Sequence, residues 1–88
     1  MKIEKLNVDE AYGYNLRNAV GGRFCDTYAA AGEDIDPDTG ESRGLRVIVL
    51  KNDAYWRSPR MKKRKAAVVL LRRVLNGASL TAFGFVEE

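Results

Sequence analysis

The stretch SPRMKKRKAAVVLLRRVLNG, Ser58 to Gly77, carries Arg60, Lys62, Lys63, Arg64 and Lys65 in quick succession, with Arg57 just before it. Ammonium and guanidinium groups at this density do one kind of chemistry well. They hold anions, phosphates above all, through charge-assisted hydrogen bonds. Tyr55 and Trp56 stand next to the cluster, and aromatic rings beside cations can stack on unpaired bases. Arg72 and Arg73 extend the charge further along the same segment. The candidate nucleic-acid-binding set is therefore Tyr55, Trp56, Arg57, Arg60, Lys62, Lys63, Arg64, Lys65, Arg72 and Arg73. Arg43 and Arg46 join it if they share its face.

These residues call for an element to position them, and the spacing predicts a helix. Ser58 reads as its N-cap and Pro59 as its first helical residue. Ala67, Leu70, Leu71, Val74, Leu75 and Ala78 form an apolar stripe at helical spacing. Lys62, Lys65, Arg72 and Arg73 fall broadly opposite that stripe. On this reading the cations sit at the positive end of the helix dipole, where each is mildly unfavourable. A local rule broken without visible gain marks a functional site. The gain here would be a bound anion, met by amide N–H groups and cations together.

Other chemistries find little material. There is no histidine and one cysteine, Cys25, which excludes Cys–His and Ser–His pairs, histidine-based metal sites and an intramolecular disulfide. Cys25 reads as a small core residue in a strand. Asp34, Asp36 and Asp38 alternate as in a calcium loop, but Thr39 and Leu45 stand where that loop needs Gly and Glu. A turn explains the stretch better. The expectation is a non-catalytic protein without metal or cofactor. Arg43 and Gly44 open a strand as in the main strand of the RNA-recognition motif. Leu45, Val47 and Leu50 then occupy positions where that motif carries aromatics, so the family is not assigned.

The rest of the chain supplies the scaffold. Asn7 and Glu10 form a capping box, with Leu6 and Ala11 as its staple, and Tyr12, Leu16, Ala19 and Val20 follow at helical spacing. Gly21 and Gly22 would end that first helix, and Gly13 weakens it. Phe24–Ala30 reads as a strand. Leu45–Lys51 is the strongest strand, its consecutive Val47, Ile48 and Val49 calling for burial on both faces. Between them, Asp36-Pro37-Asp38-Thr39-Gly40 makes the acidic tip of a long hairpin. Leu80–Val86 reads as a last strand with Phe83 and Phe85 in the core, and MKIEKL as a poorly alternating first one. The predicted fold is α+β: ferredoxin-like βαββαβ or an αββαβ variant, an antiparallel sheet with two helices packed on one face.

The totals agree with one small domain over residues 1–88. Residues 1–42 hold four Lys/Arg against nine Asp/Glu, a net of −5; residues 43–88 hold eleven against three, a net of +8. Such a split points to a polyanionic partner, or to halves that attract each other within a chain or in a homodimer. The lone thiol, the polar start and the lack of a long apolar run place the protein in the cytoplasm, without a membrane partner. The leading expectation is a nucleic-acid-binding module for DNA or RNA. The alternative is a small phage or mobile-element type of inhibitor that binds a host nucleic-acid-processing protein complex, an analogy of size and charge alone.

Overall fold

The computed structural model describes the backbone of residues 3–5 and all of residues 16–88. Six strands form one sheet in chain order: β1 (Ile3–Lys5), β2 (Leu16–Phe24), β3 (Thr27–Ile35), β4 (Ser42–Lys51), β5 (Ala54–Arg57) and β6 (Val86–Glu87). Between β5 and β6 lie one helix, α1 (Arg64–Leu75), and a 3-10 turn, Thr81–Phe83. Every pairing between strands is antiparallel. The α+β class and the antiparallel sheet stand. The ferredoxin-like order does not, because a split βαβ unit needs parallel neighbours. In this meander β1 is an edge strand, where its charged residues are tolerated.

The first expected helix is replaced, where the structure describes it, by a strand. Leu16, Ala19, Val20, Gly21 and Gly22 lie in β2, and Asn7, Glu10, Leu6, Ala11, Tyr12 and Gly13 fall outside the described residues. The small residues of β2 serve a close approach to β3. A Cβ on Gly32 would lie 3.0 Å from the Ala19 Cα, at a register shift between Arg17 and Val20 where Asn18 takes a positive φ of 54°. The expected strand Phe24–Ala30 is also divided. Cys25 and Asp26 form the two-residue turn joining β2 to β3, and Cys25 is exposed there with φ 56°, not in the core.

The β3–β4 hairpin matches its sequence signals. Asp36 Oδ1 accepts from the Asp38 N–H at 2.9 Å, and the Gly40 N–H donates to the Asp36 carbonyl at 2.8 Å. Gly40 has the positive φ, 74°, that the turn requires. The next turn uses Asn52 and Asp53, both at positive φ, as a two-residue hairpin prefers.

β4 is buried on both faces. Val47 and Val49 pack under α1 with Ala29, Ala31, Ala67, Leu71, Val74 and Leu75, while Ile48 lies on the other face with Leu16, Ala19 and Ala30. The alanines of β3 let the helix lie close to the sheet. Four residues of the expected stripe are buried and Leu70 packs against them. The last expected strand is mostly not a strand: Thr81–Phe83 turns, Phe85 is buried, Phe83 is 38% exposed and only Val86–Glu87 pairs with β5.

Candidate nucleic-acid interface

The cation-rich segment begins as a strand, not as a helix. Ser58 is buried and its hydroxyl caps nothing on α1. Its Oγ accepts from the Val47 N–H at 2.8 Å and donates to the Pro59 carbonyl at 2.9 Å, while its own N–H donates to the Val47 carbonyl. Three residues on, Met61 and Leu45 exchange backbone hydrogen bonds of 2.7 and 2.8 Å. Residues 58–61 are thus clamped along β4. Pro59 accounts for the geometry, since the residue before proline is driven toward extended backbone. The helix starts at Arg64 with Lys63 as its N-cap.

Arg57 therefore lies in β5, Arg60 and Lys62 in the clamped connection, Lys63 at the cap, and only Arg64 and Lys65 in the first turn of α1. The helix end is still unusual. No side chain caps it, no acid stands in its first turn, and the Ala67 N–H is the first to reach back, to the Lys63 carbonyl at 3.2 Å. Lys62, Lys63 and Lys65 are exposed and meet no carboxylate among the described residues.

The arginines divide. Arg64 turns toward β2, where it donates to the Asn18 carbonyl. Arg60 turns the other way, to Asp34 Oδ2 at 3.5 Å. Asp34, with its side chain only 8% exposed, also meets Arg43 at 3.2 Å and Arg46 at 3.8 Å. Sequence reasoning missed this knot by counting Asp34 with Asp36 and Asp38 in a turn. The usable signal was strand alternation, which places Asp34 on the same face as Arg46. Asp34 of the acidic half thus meets three arginines of the basic half within one chain, while Glu33 meets Arg17 at 2.8 Å inside the acidic half. Asp38 and Glu41, at the tip itself, remain exposed.

Arg57 pairs with Glu88 at 3.3 Å. Arg46, Arg57 and Arg60 together line a concavity of about 280 Å³, completed by Ser58, Pro59, Gly84 and Val86. Arg72 and Arg73 are exposed in the last turn of α1, where cations complement the helix dipole. Lys65 and Arg72 share the outward helix face at i, i+7, with exposed Val69 between them.

The aromatic pair does not form a platform. Tyr55 and Trp56 are successive strand residues and point to opposite faces. Trp56 packs against the helix-side core, while Tyr55 shares the face of Arg57 and is 37% exposed. Among the described residues no group of His, Cys, Asp and Glu could hold a metal ion, and no helix is long and apolar enough to cross a membrane. No protein-family model, curated protein or solved structure matches the chain.

Proposed function

We propose that the protein is a non-catalytic nucleic-acid-binding module whose contact surface is the segment from Arg57 to Lys65. The observation that carries this reading is the pairing of a clamped backbone with exposed cations. Four hydrogen bonds fix residues 58–61 on β4, yet Lys62, Lys63 and Lys65 project beside an uncapped helix end without a carboxylate among the described residues. A rigid base with unmatched charge is the arrangement that phosphate contacts call for, since little order has to be imposed on binding. Lys65 and Arg72 continue the track along α1. Tyr55 supplies a ring on the Arg57 face, and Trp56 is assigned to the core instead. The exposed, unbridged Cys25 suits a reducing compartment such as the cytoplasm.

The test is fluorescence anisotropy with labelled single- and double-stranded oligonucleotides over a range of salt. Micromolar binding with a steep salt dependence is expected. The double change Lys62→Ala with Lys63→Ala removes two phosphate contacts and lowers the log–log salt slope by about 1.5 to 2. An unchanged affinity and slope would sink the assignment.

A second reading has its own observation. Val86 is 56% exposed and Phe83 38% exposed, close in sequence on the segment that runs beside Pro59 and Arg57. Apolar groups bordering cations suit a surface on a nucleic-acid-processing protein complex. Tight binding to such a complex with no affinity for bare oligonucleotides would favour it.

A further inference from the structure

We infer that the concavity between β4, β5 and the Gly84–Val86 segment is a binding site for a phosphomonoester group, with Arg57 and Arg60 as its principal ligands. The site lies on the sheet face opposite α1, because Arg46 and Arg57 alternate with core residues that face the helix. Arg46, Arg57 and Arg60 are among its lining residues, and no Asp or Glu is among the described lining residues.

Charge favours an anion there. Arg43, Arg57 and Arg60 are each nearly half exposed; the first and last share the one carboxylate of Asp34, which Arg46 also meets, and Arg57 has Glu88. Counting these three arginines alone, the described carboxylates fall one charge short. Position is favourable as well. Ser58 and Pro59 stand between Arg57 and Arg60, and the Ser58 hydrogen bonds hold that corner to β4. The arginine backbones are thus placed before a ligand arrives.

Shape selects among phosphates. A monoester presents three terminal oxygens, enough for the planar forks of both Arg57 and Arg60 to bind at once. A diester presents two, and its chain must leave in two directions. Pro59, beside Gly84, and Val86 form an apolar border on which the continuing chain of a diester would meet no cation, so a chain end suits the site better. Lys62, Lys63 and Lys65 begin two residues beyond Arg60, in reach of the nucleotides that follow. Only the source of the phosphate rests on the nucleic-acid reading. The same group could arrive on a strand terminus or as a small phosphorylated compound.

The experiment uses the whole chain and two probes. Inorganic phosphate is titrated alone, followed by NMR of the arginine Nε–H resonances. Oligonucleotides of one sequence, bearing a 5′-phosphate, a 3′-phosphate or neither, are compared by anisotropy. Phosphate is expected to shift Arg57 and Arg60, and one phosphorylated end to bind about fivefold tighter than the unphosphorylated strand. Arg57→Gln abolishes that preference, while Lys62→Ala with Lys63→Ala weakens all three strands equally and keeps the ratio. Glu88→Gln frees Arg57 from its partner and enlarges the preference. Equal binding of all strands with no arginine shifts would overturn the pocket and leave the lysine track standing. Arginine shifts with no oligonucleotide binding would support the pocket, assign it a small phosphomonoester and overturn the nucleic-acid reading. A preference that survives Arg57→Gln would overturn the assignment of its ligands.

Discussion

Around Asp34, three guanidiniums converge on a carboxylate that is almost wholly shielded from water, and Arg46 beside it is only 12% exposed. A few residues away, Lys62, Lys63 and Lys65 stand in water with no carboxylate among the described residues. Both regions are dense in positive charge, and nothing in their composition tells them apart. Position does. Arg43, Arg46 and Arg60 converge on Asp34 from β4 and from the connection after β5. Lys62, Lys63 and Lys65 meet solvent, which is what the proposed contact with a partner requires.

Removing the carboxylate should have the largest effect. Asp34→Asn leaves Arg43, Arg46 and Arg60 to repel one another around a site that is partly closed to water. The cost is about 2–3 kcal/mol, less than for a fully buried pair because Arg43 and Arg60 can turn outward. Urea denaturation measures it, and a cost near zero would erase the distinction between the two regions. Ser58→Ala comes next. It strands the Val47 N–H in the core and should cost about 1–2 kcal/mol. It also loosens the base of the lysine segment, so oligonucleotide affinity should fall with stability.

Lys63→Asp sharpens the comparison by reversing the sign. An aspartate at the N-cap supplies the missing cap and suits the helix dipole, a gain of about 1 kcal/mol. The same change should weaken oligonucleotide binding several-fold. A protein made more stable and less able to bind would show that the cations there serve a partner. Arg72→Gln is the smallest perturbation. At the favourable end of α1 it should cost under about 0.5 kcal/mol, and it should reduce binding less than the paired lysine change does.

What could be read from the residues follows the same division between local and long-range causes. β4 was legible because Val47, Ile48 and Val49 leave few alternatives, and the Asp36–Gly40 tip because its turn chemistry is local. The apolar stripe from Ala67 to Leu75 was legible by period alone. The start of α1 was not, since Ser58-Pro59 suits both a helix cap and an extended exit. The choice is made by Val47 and Leu45, eleven and sixteen residues upstream of their partners Ser58 and Met61. β2 was misread because Leu16, Ala19 and Val20 satisfy a helical period, whereas Ala19 answers to Gly32 across the sheet. Of the candidate site, the cations were legible as a set. Their separation into a knot, a pocket and a track was not, because Asp34 sorts them from a different strand.

The chain-order meander has a consequence for how the protein reaches its structure. The strands from β2 to β5 pair with their nearest neighbours in sequence, so none of these hairpins must wait for a distant segment; only β6 returns to β5 across α1 among the described strands. Hairpins of this kind close on microsecond timescales, and local pairing favours fast folding for a sheet protein. The tightly signalled β3–β4 hairpin is the natural nucleus. The Ser58–Met61 segment can lock onto β4 only after that strand is in place, which makes the concavity beside Arg57 and Arg60 a late product of folding.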